Sequence, residues 1–393
     1  MIVLVVATGG AYLYGRSQSL AGISGQDKKS VDLYAQALNI VQRDYVDQKS
    51  VKPKKLTYAA IEAMLNDLGD KGHTRFLTPD EVKQNSQELS GKYVGVGIVL
   101  QDKGKKVVVT SPIPGSPADK AGMKSGDVLV AVDGKSVKGE DLATIAKKVR
   151  GPAGSKVEIS VLRGGGEKKF SVMRTELKVP VAPWTIIPGS KVAQVQLTSF
   201  SSNSADALVQ SFNEARKAGA RRFILDLRNN PGGQVDQAIA IAGDFLKPGS
   251  VVYIRKDASG KKEKVRVPGS AKPTDAPLVV LVNNGSASSA EILAGALRDN
   301  NRAKVVGTKT FGTGTVLTEY TLKDGSAMLL GIAEWLTPNG DFIRKTGIKP
   351  GIVVKMKKGE EPLLPDEVKG LSRQKVFSKD AQLKRAFEVV QGQ

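Results

Sequence analysis

The stretch that decides the fold is Pro277–Asn300, PLVVLVNNGSASSAEILAGALRDN. Its first half is an apolar run of the kind that forms a buried strand, and its second half carries apolar residues at helical spacing. Between them lie Gly285 and three serines, Ser286, Ser288 and Ser289. A serine at a helix start is an ordinary cap, but capping accounts for one of them and not for three. A serine at such a junction stands above the strand ends, and the N–H of the residue after it points toward a developing oxyanion. If one of these serines is a nucleophile, another group must take its proton.

The same alternation extends outward from Pro180. Buried-strand runs occur at VAQVQLTSF (192–200), RRFILDLR (221–228) and AKVVGT (303–308), and helices at SADALVQSFNEARKAG (204–219) and QVDQAIAIAGDFL (234–246). Strands alternating with helices imply a largely parallel sheet with right-handed crossovers, whose functional loops lie at the carboxyl ends of the strands. Besides the serine turn, one other strand end is chemically loaded: Arg228-Asn229-Asn230-Pro231-Gly232-Gly233. Its glycines let backbone N–H groups approach a ligand closely, and a helix begins directly after it, adding a positive dipole end. The turn suits an oxyanion hole or an anion site, or is an ordinary strand-to-helix turn.

Upstream the texture differs. The segments VDLYAQALNIVQRDYV (31–46) and LTYAAIEAMLNDLGD (56–70) read as two helices, and Thr78-Pro79-Asp80-Glu81 as the start of a third. From Gly91 come short alternating strands with glycine punctuation: KYVGVGIVL, KKVVVTSPIP, GDVLVAVDG, KVEISVLR and KKFSVMRT, with short helices near SPADKAG and GEDLATIAKKVRG. The first fifteen residues, MIVLVVATGGAYLYG, are uncharged. They read as an export signal or a truncated anchor, being shorter than the roughly 20 apolar residues that span a bilayer, or as an apolar element of the folded body.

Composition removes several function classes. The chain has 393 residues and no cysteine, so disulfides, thiol nucleophiles and cysteine metal sites are excluded. His73 is the only histidine, so a two-histidine metal site is excluded and a Ser-His-Asp triad would have to use it. In the turn before Thr78, its simplest role is a capping or packing contact. The 59 lysines and arginines outnumber the 39 acidic residues, which favours anionic partners such as an envelope surface. No nucleic-acid binding is expected, because the basic residues are dispersed and aromatics make up only 5%.

Two resemblances follow from these motifs. SPIPGSPADKAGMKSGDVLVAVDGKSV (111–137) resembles the central signature of a PDZ domain of the bacterial protease type. In such domains a Gly-rich turn before an edge strand receives a peptide carboxylate and the strand edge pairs with the peptide. The matching turn here is Tyr93-Val94-Gly95-Val96-Gly97-Ile98. DLRNNPGG, NNGSASSAEI and TFGTGTV, with that module upstream, resemble the carboxyl-terminal processing peptidases, tail-specific serine proteases of family S41, from about Val31 to the end of the chain.

The S41 resemblance implies an α+β multidomain protein. It comprises a signal or anchor and linker (1–29), an N-terminal helical segment (30–88), a β-rich PDZ module (89–178), an α/β protease core of the ClpP/crotonase kind (179–358) and a basic helical tail (359–393). It places the nucleophile at Ser288 and the oxyanion hole at the N–H groups of Ser289 and of the Pro-Gly-Gly turn, at Gly232 with Gly233 beside it. It implies no metal and no organic cofactor. The family's general base is a lysine within Phe-Gly-Lys-Gly-Thr-Val-Gln, and this chain departs there, with Thr313 for the lysine and Leu317 for the glutamine.

A lysine that acts as a base near neutral pH gives up roughly 4 kcal/mol of hydration, which needs a buried site, and threonine cannot replace it. Lys309 is the nearest substitute, with Lys304, Lys345 and His73 as more distant candidates. The implied function is an exported serine endopeptidase that holds the free apolar C-terminus of an unfolded or tagged protein and cleaves upstream. The alternatives are a non-catalytic PDZ scaffold for protein C-termini and an envelope adaptor that binds anionic polymer.

Overall fold

The computed structural model describes residues 25–70, 73–91, 93–102, 106–113, 115–140, 142–177, 180–357 and 360–393. The apolar N-terminal stretch read as an export signal or anchor lies outside the described residues. Among them, no helix is long and apolar enough to cross a membrane. The chain divides into two compact units. One is built from residues through Asn85 with Ile254–Glu263 and Thr313–Leu336, the other from Ser86–Tyr253, Lys264–Gly312 and Thr337–Gln393.

The first unit contains the N-terminal helices Gly25–Asp44 and Pro53–Asp67 and the start of a third, Pro79–Leu89. The third starts where the sequence places it, with Thr78 and Glu81 capping each other: the Thr78 N–H donates to Glu81 Oε2 at 2.9 Å and the Glu81 N–H to Thr78 Oγ1 at 3.4 Å. Strand Arg75–Leu77 pairs antiparallel with Ala327–Leu336, which also pairs with Thr315–Thr321. Residues 313–336 were expected within one continuous core from 179 to 358. In the structure Thr313–Leu336 group with the N-terminal unit, where Arg75–Leu77 pairs with Ala327–Leu329.

Among the described residues, the second unit holds two six-stranded sheets and a two-stranded one, Tyr93–Gly95 with Thr175–Leu177. The PDZ module is an antiparallel sheet in the order Ile98–Asp102, Val107–Pro112, Val128–Val132, Lys156–Arg163, Gly166–Met173. Its apolar core includes Val109, Met123, Ile145, Ile159 and Val161. KYVGVGIVL is not one strand. It breaks at Val96-Gly97, where Gly97 takes φ +82° and a Cβ would fall 2.2 Å from that of Ser116.

The protease core is a six-stranded sheet in the order Trp184–Ile186, Val192–Gln196, Arg222–Asp226, Leu278–Val282, Lys304–Gly307, Ile352–Val353. The first pair is antiparallel and the other pairs are parallel. Residues 360–393, expected as a separate tail, belong to this core. Val368, Val376, Leu383, Ala386 and Val390 are buried against Ile224, Val279, Leu281 and Val306. The helix Ala381–Gln391 is amphipathic, and its apolar stripe finds one face of the parallel sheet, which cannot remain exposed.

Candidate active site

Strands Arg222–Asp226 and Leu278–Val282 run side by side in parallel, with Asp226 opposite Leu281, so the two chemically loaded turns emerge next to each other. Asn229 and Asn283 lock them together. Asn283 Oδ1 accepts the Asn229 N–H at 2.9 Å, and Asn283 Nδ2 donates to Asn229 Oδ1 at 2.8 Å.

The three serines separate by environment. Ser286 is fully buried and donates to the Leu227 carbonyl at 2.7 Å while accepting the Asn283 N–H at 3.0 Å. Ser289 is fully buried and donates to the Gly233 carbonyl at 2.9 Å. Ser288 alone of the three is only half-buried. It has φ 52° and ψ −120°, a conformation that costs about 1–3 kcal/mol and persists only where the surroundings impose it. A strained serine between a strand end and a helix start is the geometry of a nucleophile elbow.

Gly232 and Gly233 are required by that elbow. A Cβ on Gly232 would lie 2.7 Å from Ser288 Cβ and 2.8 Å from the Ala287 carbonyl oxygen, and one on Gly233 would lie 2.3 Å from the Phe200 carbonyl oxygen. Both also have positive φ, of 96° and 139°. The oxyanion assignment needs one correction: the Gly232 N–H donates to Asn230 Oδ1 at 2.8 Å and is not open to a substrate. Asn230 is buried, and its side chain reaches forward two residues to close the turn. The Gly233 and Ser289 N–H groups are the remaining donors of the assigned three.

The candidate bases are arranged less favourably. Lys309, Lys304 and Lys345 are all exposed, so the dry setting that turns a lysine into a proton acceptor is lacking at each. Thr313, in contrast, is 5% exposed, and Leu317 is half-buried beside a bulge in its strand. His73, in the first unit, lies with Nδ1 2.6 Å from Thr315 Oγ1 and 3.9 Å from Asp70 Oδ2. Among the described residues, no group of three or more histidine, aspartate or glutamate side chains is placed to hold a metal ion.

In the PDZ module, the Val96 and Gly97 carbonyls accept the N–H groups of Ala118 and Ile113, both at 2.8 Å. In a trans peptide the N–H opposes the C=O, so the Gly97 and Ile98 N–H groups are directed the other way, as a carboxylate receptor requires. Ile98–Asp102 is the edge strand of its sheet, with Val107–Pro112 on one side. It can take an added strand on the other.

The family model for peptidase family S41 matches residues 191–354, and a PDZ domain model matches residues 108–163. A Staphylococcus aureus protein named "Probable CtpA-like serine protease" is 35% identical over 356 residues, covering 90% of this chain and 70% of that one. The chain belongs to the S41 peptidase family. A Staphylococcus haemolyticus protein of the same name is 36% identical to this S41 peptidase over 351 residues, covering 88% of this chain and 70% of the other. Among solved structures, a photosystem II D1 C-terminal processing protease shares 32% identity, covers 85% of this chain and 94% of its own, and superposes with a TM-score of 0.52. The S41 peptidase is thus a CtpA-like serine protease with a PDZ domain.

Sequence patterns alone did not expose three residues that organise this S41 peptidase: Asn230, Glu291 and Arg228. Arg228 is fully buried and donates to Asp226 Oδ2 at 2.6 Å and to Asp380 Oδ2 at 2.9 Å. Burial opposes its charge, but the two carboxylates outweigh burial and hold the guanidinium above its ordinary pKa. Asp380 also caps the last helix by accepting the Leu383 N–H at 2.8 Å. The only sequence signal for this pairing is a charged residue in the otherwise buried end of a parallel strand.

Proposed function

We propose that this S41 peptidase is exported and processes proteins from their C-termini. The PDZ turn at Tyr93–Ile98 receives the free carboxylate of an unfolded or tagged substrate with an apolar tail, and the chain pairs with the Ile98–Asp102 edge. Ser288 Oγ attacks a peptide carbonyl upstream, forming a tetrahedral oxyanion that the Ser289 and Gly233 N–H groups receive. Lys309 takes the serine proton and returns it to the leaving amine, and water then hydrolyses the acyl-enzyme. The observation that carries this reading is the strained, accessible Ser288 pressed against Gly232, with the other two serines bound to carbonyls. The exposure of Lys309 makes slow turnover part of the proposal.

The test is cleavage of an unfolded protein with an apolar free C-terminus, then of the same substrate amidated. Wild type is expected to cut only the free-carboxylate form, and Ser288→Ala to lose activity by a thousandfold or more, on the order seen when a catalytic serine is removed. Lys309→Ala as active as wild type would remove the substitute base, and His73→Ala assayed beside it would show whether the histidine takes that role.

A second reading, a PDZ protein that holds C-termini without efficient cleavage, is favoured by one observation: the buried position 313 carries a threonine. It requires tail-peptide binding with no Ser288-dependent hydrolysis.

A further inference from the structure

Glu291 closes the serine run, and the reaction outlined above gives it no role. Its side chain is completely buried. Oε2 accepts the backbone N–H of Ser288 at 3.0 Å. Oε1 accepts the Thr310 hydroxyl at 2.5 Å and the Gly312 N–H at 2.7 Å. Thr310 Oγ1 in turn accepts the Ile348 N–H at 2.6 Å, and the Phe311 N–H donates to the Ser286 carbonyl at 3.0 Å.

We propose that Glu291 is a positioning residue that sets the strained backbone of Ser288 and the chain entering position 313 as one unit. The proposal rests on Ser288 being the nucleophile.

The simpler account is a capping glutamate, since a Glu three residues past a helix N-cap commonly reaches back to the N-cap N–H. That account uses one oxygen and leaves the other to solvent. Here the second oxygen is enclosed and spent on two donors from a different loop. A carboxylate is needed for this, because it accepts at both oxygens, whereas a glutamine offers one acceptor and one donor. Glu291→Gln must therefore turn an N–H group toward the Ser288 N–H or toward the Thr310 and Gly312 donors. Either arrangement leaves a buried donor unsatisfied and frees one side of the link.

Because Ser288 holds an unfavourable φ, releasing its N–H lets the turn relax. A displacement of a reacting atom by about 1 Å costs on the order of a hundredfold in rate.

The test is the rate at which a small fluorophosphonate labels Ser288 in the full chain, since this probe reads the elbow without needing the PDZ module. Glu291→Gln is expected to slow labelling about 10- to 100-fold. In the cleavage assay it should lower kcat and leave KM within about twofold, since an interaction made only in the transition state lowers kcat without weakening substrate binding. Thr310→Val, which loses the donor with little change of shape, should slow labelling, whereas Thr310→Ser, which keeps it, should not. This pair keeps the proposal falsifiable if Glu291→Gln fails to fold. Folded Glu291→Gln labelled at the wild-type rate, or Thr310→Val and Thr310→Ser labelled equally fast, would overturn the positioning role and leave the nucleophile standing. Absence of any wild-type labelling that Ser288→Ala removes would overturn the nucleophile and the positioning role together.

Discussion

Glu291 and Asp244 are carboxylates in the same unit, and their surroundings treat them in opposite ways. Glu291 is wholly buried and receives three neutral donors from two loops. Asp244 is half-buried, and its Oδ2 is enclosed with no hydrogen-bond partner among the described residues. Burial first, and the charge of Asp206 second, push the Asp244 carboxyl up to about 6. Arg228 extends the comparison, because it is as buried as Glu291 and is matched by two carboxylates. Partners, not depth, decide whether an enclosed charge organises the fold or burdens it.

The strongest way to break that comparison is to unmatch the best-matched charge. Arg228→Met fills similar space but leaves Asp226 and Asp380 facing each other without a cation. Removing one partner of a buried ion pair costs about 3–5 kcal/mol, and a loss of that size is expected in urea unfolding followed by circular dichroism. The C-terminal helix should loosen first, because Asp380 is both its cap and a partner of Arg228. A variant within about 1 kcal/mol of wild type would show that packing of Leu383 and Val390 alone secures that helix.

A smaller effect should follow from adding a buried charge where the family pattern has one. Position 313 is almost fully buried, and it follows Gly312, whose N–H is held by Glu291. Thr313→Lys places an amine in the dry setting that exposed Lys309 lacks. A positioned general base contributes about 100-fold or more, so Ser288-dependent cleavage should rise on that order. An unchanged rate would mean that Lys309 or His73 already takes the proton, or that the turn no longer presents residue 313 to the serine.

What the sequence displays depends on how local the cause is. The serine run, the Pro-Gly-Gly turn and the PDZ signature are legible because their chemistry sits within a few residues and needs glycine or serine at set places. The α/β alternation is legible because the buried strands are rich in apolar residues, Leu278–Val282 without interruption, and the helices between them carry theirs at helical spacing. Of the partners of Arg228, Asp226 lies two residues away, but Asp380 is not legible, since it lies far along the chain and nothing near it marks the pair. The same holds for Glu291, which reads as an ordinary helix cap until Thr310 and Gly312 are seen against its second oxygen. The Gly232 N–H was legible as a donor, but its use by Asn230 depends on a side-chain rotamer that no pattern specifies. The exchange of Thr313–Leu336 into the N-terminal unit is hidden for a related reason: strand pairing is set by register across distant segments.

The smallest effect concerns Asp244 and gives the sign of the unmatched case. Its carboxyl in the folded protein is raised to about 6, above the ordinary value of 3.8, so between those values the folded state binds the proton more tightly than the unfolded one. Stability is therefore greatest at the acid end of that window and falls as pH rises toward 6, where the group ionises with Oδ2 lacking a hydrogen-bond partner among the described residues. Above pH 6 the penalty is complete. Since the side chain is partly in contact with solvent, it is worth about 1–2 kcal/mol, less than the raised pKa alone would give. Asp244→Asn removes the charge and should flatten the decline between pH 4 and pH 6. It should also raise the midpoint of thermal unfolding above pH 6, by an amount reduced because the amide inherits an enclosed polar atom. Asp206→Asn should do the same more weakly, because it removes only the second cause. If both variants decline with pH as steeply as wild type, Asp244 has found a donor in solution, and the contrast with Glu291 is one of geometry alone.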